Sequence, residues 1–322
     1  MFNKWLIAVG LMTLLSGSVV ACGVMQKDTE AAWSEEEFIR IVHQYYMDDS
    51  GKIRSYGTEE NEEYLLESMG LYMKWLSGHN REEEVQELRK TVQSEFAYEH
   101  ASDVFLSWRV EGDQQASVNA WIDDARILSV LGPADPLFNK IADTLKKYQV
   151  QNGLIVDFYD WEQEAASERV VLSYGTREED ALRLTSMDRL YLEASTRSDP
   201  FYPEFYDVKE KKFIESDEVH MVDQLLIAIQ LEKEKGDNHE FWQWLVSEWE
   251  KHQAISGRYD RNSHKGNGIE SGAVYGIAAE WALLKGEEEL AEKWKHKGFQ
   301  LVNPKDHQFD HIHFFDLIWN AP

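Results

Sequence analysis

The chain has 322 residues, with 33 Lys and Arg against 59 Asp and Glu, which gives a formal net charge of −26. A surface this acidic is repelled by nucleic-acid phosphates and by anionic lipid headgroups, so we expect no nucleic-acid partner. The single cysteine excludes a disulfide within the chain and a cysteine-based metal site.

The first 32 residues predict a lipoprotein leader followed by a tether. Lys4 precedes an apolar run, Trp5 to Leu15, whose length is typical of a signal peptide rather than of a membrane-spanning helix. The segment Val19-Val-Ala-Cys22-Gly resembles a bacterial lipobox, in which cleavage before the cysteine is coupled to its acylation. We therefore predict a signal peptide over residues 1–21, lipidation of Cys22 and a tether over residues 22–32. The alternative is an ordinary signal peptide beside an unrelated cysteine.

The same segment predicts where the protein resides. A lipid on Cys22 would hold the chain on the outer face of the bacterial cytoplasmic membrane. No later segment has the length of a membrane span, so the N-terminal lipid would be the only membrane attachment.

Helical periodicity dominates the chain after the tether. Ser34 and Glu37 have the spacing of a capping box at the start of a first helix. Further helices are predicted at Thr58–Trp75, Arg81–Tyr98, Gln114–Leu131, Asp135–Tyr148, Glu178–Ser195, Asp217–Lys235, Asn238–His252, Ile269–Leu284 and Glu287–Leu301. Short loop strands are predicted at Asp103–Val110, Leu154–Trp161 and Val170–Tyr174.

This order of elements predicts one all-α domain over residues 33–322. It contains no βαβ alternation and no glycine-rich phosphate loop. About ten to twelve helices joined by short loops indicate helical hairpins packed around one core. The pattern fits a barrel of six α-hairpins, and it also fits other all-α folds.

Glu67 lies on an apolar face of its predicted helix, beside Tyr64, Gly70 and Leu71 at helical spacing. Loss of hydration on such a face favours the neutral acid form of a carboxyl group. A glycine inside a helix costs stability, so Gly70 indicates that another part of the chain approaches the helix closely there.

Two more acids interrupt apolar stripes, Asp124 on one helix and Asp223 on another. Asp123 instead faces Arg126, an arrangement typical of a surface ion pair. Each inward-facing acid could simply cap a loop or pair with an arginine. Three such acids on separate helices favour a sugar-binding cleft, in which one carboxyl group protonates the leaving oxygen and another activates water.

Aromatic side chains supply further candidates for the site. The 12 Trp and 14 Tyr can fill a core, and they can also stack on sugar rings. Candidate sugar subsites are Trp108, Trp121, Tyr174, Tyr206 and Tyr275. The run from His307 to His313 contains metal-capable groups but lacks a known zinc spacing, so we predict a packed tail there and neither metal nor cofactor.

Several segments resemble glycoside hydrolase family 8, and the similarity runs in order from Ser34 to Trp319. The segment Glu67-Ser-Met-Gly70-Leu-Tyr72-Met73 is similar to the family's proton-donor segment Glu-Gly-Gln-Gly-Tyr-Gly-Met. The segment from Ser117 to Ala125 loosely resembles Ala-Thr-Asp-Ala-Asp-Leu-Asp-Ile-Ala, with Asn119 at the first Asp. Val222-Asp223-Gln224 is similar to a Tyr-Asp-Ala segment, and Glu270 to Ala278 resembles the family's final barrel hairpin.

The resemblance is greatest to a bacterial lipoprotein branch linked to exopolysaccharide production. It implies a six-hairpin (α/α)6 barrel, a monomer that cleaves a polysaccharide with inversion, and no cofactor. Glu67 would be the general acid and Asp223 the general base, with Asp124 as the competing base. Substrate contacts are expected from Asp123, Asp124, Trp121, Tyr72, Trp108 and Tyr275.

A second function class remains open at this point. The barrel could bind glycans or assist polysaccharide assembly without cleaving anything. The altered segment around Asn119 favours this non-catalytic function, whereas Glu67 and Asp223 on apolar faces favour the hydrolase.

Overall fold

A computed structural model describes residues 32–175, 187–196, 200–234 and 238–322. The predicted signal peptide, Cys22 and nearly all of the predicted tether lie outside these ranges, as does the first half of the helix predicted at Glu178–Ser195. Residues Ala32–Pro322 form one unit.

Eleven helices occur in the described ranges, and they account for most of the periodic segments. They are α1 Glu35–Ile41, α2 Leu66–Gly78, α3 Glu82–Thr91, α4 Trp121–Leu131, α5 Pro136–Tyr148, α6 Asp188–Ser195, α7 Met221–Lys233, α8 His239–His252, α9 Gly272–Leu284, α10 Glu288–Val302 and α11 Phe314–Ile318. Single π-helical turns, Val42–Tyr46 and Val92–Phe96, extend α1 and α3, and Leu172–Tyr174 is a 3₁₀ turn. The capping box predicted at Ser34 and Glu37 is present.

Alternate helices form an inner ring. Helix α2 packs against α4, α7 packs against α9, and α11 contacts both α9 and α2. The 3₁₀ turn Leu172–Tyr174 packs against α7 on the remaining side of the ring. The other helices alternate with these along the chain, so the six-hairpin (α/α)6 barrel is confirmed.

Short antiparallel strands connect the helices. They are β1 Glu63–Leu65, β2 Ala97–His100, β3 Asp103–Leu106, β4 Arg109–Glu111, β5 Gln114–Gln115, β6 Val150–Gln151, β7 Leu154–Ile155, β8 Tyr159–Asp160, β9 Ala165–Ala166, β10 Arg169–Val171, β11 Phe205–Asp207, β12 Lys212–Ile214, β13 Glu218–His220 and β14 Arg258–Asp260. Pairing joins β1 to β4 to β5, β10 to β11 to β12, and β13 to β14, while the remaining strands form two-stranded hairpins.

These strands set the starts of the inner helices. Helices predicted to begin at Thr58, Gln114 and Asp217 begin instead at Leu66, Trp121 and Met221. The residues ahead of α2 and α7 are held in extended conformation, because β1 pairs with β4 and β13 pairs with β14. The predicted helix starts are therefore wrong by about one to two turns, and each inner helix begins just before one of the candidate acids.

Helices α2 and α4 approach each other closely at Gly70. A methyl group added there would lie 2.9 Å from Cβ of Arg126 and 3.6 Å from Cδ1 of Ile127. The close approach expected from a glycine inside a helix is therefore present, and α4 is the element that makes it.

Replacing Gly70 with Ala overpacks the interface, at a cost of roughly 1–3 kcal/mol. The gain of about 1 kcal/mol in helix propensity offsets part of this cost, so we expect the free energy of unfolding to fall by up to about 2 kcal/mol. Urea denaturation of the two proteins measures the difference. Gly78→Ala is the matched control, because Gly78 ends the same helix and has no atom within 4 Å of the added methyl group. Equal stability of Gly70→Ala and wild type would contradict the packing argument.

Candidate active site

The candidate acids occupy equivalent positions on three inner helices. Glu67 lies in the first turn of α2, Asp123 in the first turn of α4 and Asp223 in the first turn of α7. The partial positive charge at a helix N-terminus stabilises a carboxylate in the first turn.

Arg126 joins two of these acids. Its Nη1 donates to Oε1 of Glu67 at 3.1 Å and to Oδ1 of Asp123 at 2.9 Å. The side chains of Arg126 and Asp123 are 9% and 5% exposed, and that of Glu67 is 28% exposed. The pair of Asp123 and Arg126 therefore forms as expected, but it is buried rather than on the surface, because α4 presents this face to α2.

The environment of Asp123 favours its protonated form. Burial, together with the negative charge of Glu67, raises the pKa of its carboxyl group to about 7, against the opposing effect of Arg126. The carboxyl group of Asp123 therefore titrates close to neutral pH.

Asp124 points away from solvent. It is 1% exposed, and burial raises the pKa of its carboxyl group well above the usual range. Its Oδ2 accepts a hydrogen bond of 2.5 Å from Asn119, whose amide also donates to Gln149 and accepts from the backbone N–H of Tyr159. Asp124 thus holds the loop ahead of α4, and its predicted contact with substrate is corrected to a structural role because no sugar can reach it here.

Asp223 faces solvent more openly and has a histidine partner. Its Oδ2 lies 2.8 Å from Nδ1 of His220, and the two side chains are 30% and 41% exposed. Because His220 directly precedes α7, the helix start positions the imidazole beside the carboxylate. A carboxylate with this access to water is placed to accept a proton from a water molecule.

The phenol of Tyr174 lies among acids from three helices. Burial raises the pKa of its hydroxyl group, and the negative charges of Asp123, Asp223 and Glu67 raise it further. All three carboxyl groups therefore lie within electrostatic range of one phenol. The sequence identifies Tyr174 only as one of several candidate aromatic residues.

Three of the predicted aromatic contacts are core residues. Tyr72 and Trp121 are each 1% exposed, and Tyr275 is fully buried with its hydroxyl bonded to Ile255 and Glu270. Their predicted roles as sugar contacts are therefore corrected, because helix packing covers all three rings.

Trp108 remains a candidate residue for contact with a sugar. It is partly exposed, and its carbonyl accepts a 2.9 Å hydrogen bond from the N–H of Leu66, next to Glu67. The guanidinium of Arg109 lies 5.1 Å from the centre of its ring. Tyr206, on β11, is also partly exposed.

A cavity of about 430 Å³ lies inside the ring of inner helices. Arg126 contributes to its wall, together with residues of α2, α7 and α9 and the C-terminal Ile318 and Trp319. Arg126 therefore borders this cavity and also contacts the acids Glu67 and Asp123 at the helix N-termini.

The C-terminal histidine run is packed only in part, since His307 and His311 are exposed. His313 caps α11, since its ring nitrogen accepts from the N–H of Phe315, and Phe309 is buried. The described ranges contain no group of three or more His, Cys, Asp or Glu side chains placed to hold a metal ion. Within those same ranges no helix has the length and apolar character needed to cross a membrane.

Comparison with known proteins identifies the fold. No family model matches the chain. The fold is that of family 8 glycoside hydrolases, as shown by endoglucanase Cel10 from Klebsiella pneumoniae, with a TM-score of 0.61 at 14% identity over 88% of this chain and 96% of that one. The resemblance to that family is confirmed at the level of the fold.

Two individual proteins are more similar in sequence. PssZ from Listeria monocytogenes has a TM-score of 0.76 at 28% identity, over 90% of this chain and 94% of its own. A Bacillus subtilis (strain 168) protein provisionally named as the lipoprotein YdaJ is 27% identical over 265 residues, which is 74% of this chain and 69% of its own.

Proposed function

We propose that this protein is a lipid-anchored glycoside hydrolase that cleaves a bacterial exopolysaccharide with inversion. The observation that carries the proposal is the contact of Arg126 with both Glu67 and Asp123 at the N-termini of two packed inner helices, with Asp223 in the first turn of a third inner helix. The family 8 fold and the similarity to PssZ support the same conclusion.

Glu67 is the general acid and Asp223 the general base in this proposal. Glu67 is partly buried against Arg126, where a proton on the acid pair offsets unbalanced negative charge. Asp223 has nearly the same exposure as Glu67, 30% against 28%, and differs in its partner, which is His220 and not an arginine shared with a second acid. This access to water suits the activation of a water molecule. Hydrolysis then transfers the proton of Glu67 to the leaving oxygen, while Asp223 takes a proton from the water that attacks the opposite face of the sugar.

The function is tested with a panel of purified bacterial exopolysaccharides. We expect new reducing ends with at least one member of the panel, and none with the same protein carrying Glu67→Gln. Equal release by wild type and variant would point to a contaminating hydrolase and would contradict the assignment.

The second candidate is a glycan-binding protein without catalysis. Asn119 occupies the position of an acid in the family 8 segment, and its amide is fully engaged with Asp124, Gln149 and Tyr159. A polysaccharide that binds the wild-type protein tightly and is never cleaved would favour this function over the hydrolase.

Replacement of Cys22 with Ser is expected to abolish lipid attachment and to leave the chain unprocessed or released. The physical reason is that one acylated cysteine is the only strong membrane attachment proposed, and its diacylglyceryl group supplies apolar chains that insert into the bilayer. Membrane fractionation and labelling with a fatty-acid analogue measure the change, with wild type as control. Labelling and membrane retention that both survive the replacement would rule out the anchor.

A further inference from the structure

One guanidinium nitrogen donates hydrogen bonds to two carboxyl groups at the candidate site. Nη1 of Arg126 lies 3.1 Å from Glu67 and 2.9 Å from Asp123. If both acids were ionised, the three side chains would carry one net negative charge. Two of the three side chains are at least nine-tenths buried, where an unbalanced charge is costly. A single proton on the two acids brings the group to neutrality.

The surrounding charges bear on the same proton. Burial raises the pKa of Asp124 on α4, which favours its neutral form, and the phenol of Tyr174 faces the group from the 3₁₀ turn. The other titratable side chains that face this part of the molecule are Asp157, Asp223, His220, Lys74, Lys233 and Glu280.

The acidic neighbours outweigh the basic ones near the shared nitrogen. Lys74 and Lys233 follow Glu67 and Asp223 along their helices by about 10 Å and about 15 Å of helical rise, so both lie toward the far end of the cavity. Asp223 and Asp157 lie close enough to affect Tyr174. The nearer carboxylates therefore favour retention of a proton by the two acids that share Arg126.

We propose that Glu67, Arg126 and Asp123 act as one acid that holds a single proton at neutral pH. Glu67 delivers this proton to the substrate, and Asp123 is a positioning residue that stores it without touching the sugar. This inference rests on the proposed hydrolase function for its role in the reaction, whereas the shared proton itself is a property of the free protein.

The proton balance closes over one turnover. At rest the proton resides on Asp123, with Glu67 ionised and Arg126 charged; in the reactive form it resides on Glu67, with Asp123 ionised. Glu67 then gives the proton to the glycosidic oxygen as the bond to the leaving group breaks. Asp223 accepts a proton from the attacking water and releases it to solvent, and solvent returns a proton to the acid pair.

Burial of Asp123 supports this arrangement, since burial and the charge of Glu67 raise the pKa of that carboxyl group to about 7 although Arg126 lowers it. In the unfolded chain an Asp carboxyl group has a pKa of about 3.9 and is ionised above about pH 4. The folded chain therefore keeps a proton on this carboxyl group between about pH 4 and pH 7, where the unfolded chain has lost it. Removing either acid leaves one carboxylate and one arginine, which are neutral together without any proton.

The test is the infrared absorption of protonated carboxyl groups in the full-length chain, followed from pH 5 to pH 9 and needing no substrate. We expect wild type to lose one carboxylic acid band with a midpoint near neutral pH. Glu67→Gln and Asp123→Asn should each abolish this same transition. Asp135→Asn is the matched control, because Asp135 also binds an arginine, Arg89, with bonds of 2.5 and 2.7 Å at a separate place in the fold.

The outcomes separate a proton shared by two acids from a proton held by Asp123 alone. A neutral transition that persists unchanged in Glu67→Gln would show that Asp123 titrates alone and would overturn the proposal. Absence of the transition in wild type would overturn it as well. Glu67 is partly exposed, so its replacement tests the proposal even if Asp123→Asn fails to fold.

Activity gives a second readout once a substrate is known. In Asp123→Asn the alkaline limb of the kcat/KM profile should move to lower pH by about 1–3 units, because Glu67 then faces Arg126 without a second acid. An unchanged limb would contradict the storage role. If no glycan is cleaved, the proposed function fails while the infrared result still decides whether the proton is shared.

Discussion

Replacing Glu67 with Gln is expected to lower kcat on the polysaccharide substrate by roughly 10²–10⁴-fold, the usual contribution of a general acid. Glutamine keeps the shape of the side chain and can still contact Arg126, but it has no proton to give to the leaving oxygen. Binding of the glycan should survive, because the change removes an interaction made in the transition state. Reducing-end release and equilibrium binding measure the two effects on the same preparation.

A matched control and a leaving-group series make this result specific. Glu232→Gln is the control, because Glu232 has a similar side-chain exposure, 27% against 28%, and also pairs with a base, Lys285. On an aryl glycoside with a good leaving group the loss in Glu67→Gln should shrink, since such a group departs without protonation. Near-wild-type turnover of the polysaccharide by Glu67→Gln would show that another residue is the acid.

The helical content of the fold can be predicted from local sequence, but the starts of the inner helices cannot. Asp135 and Pro136 give α5 a cap and a first turn that are visible in the sequence, and the predicted bounds of that helix agree with the structure to within one residue. The start of α2 depends instead on pairing of Glu63–Leu65 with Arg109–Glu111, two segments far apart in the chain. Helical periodicity contains no information on such pairing, and these starts are what bring the acids to one end of the barrel.

The acids themselves can be identified as interruptions of apolar faces, but their partners cannot. The sequence indicates that Arg126 is half of a surface ion pair, since an Asp three residues before an Arg is usually solvated. Its apolar neighbours Ile127 and Leu128 are the available signal that it is buried and needs more than one acceptor. Asp124 shows the opposite error, because its inward-facing position predicts a substrate contact although it binds the amide of Asn119.

Asp223→Asn is expected to lower kcat by roughly 10²–10⁴-fold, because asparagine cannot accept a proton from the attacking water. The bond to His220 can be kept by the asparagine amide, so the start of α7 should remain intact and far-UV circular dichroism should be unchanged. Steady-state kinetics at neutral pH measures the loss, and Asp217→Asn, on the exposed approach to the same helix, is the control.

Azide distinguishes the base from the other acids, because it attacks the anomeric carbon without needing deprotonation. Added azide should therefore restore part of the turnover of Asp223→Asn and yield a glycosyl azide of inverted configuration. Azide should not restore turnover in Glu67→Gln, because that variant lacks the proton that the leaving group needs. Asp124→Asn should not respond either, because Asp124 is only 1% exposed. If azide restored turnover in Asp124→Asn and not in Asp223→Asn, Asp124 would be the general base. A glycosyl azide of retained configuration would show that the reaction proceeds by double displacement through a covalent intermediate and not by inversion.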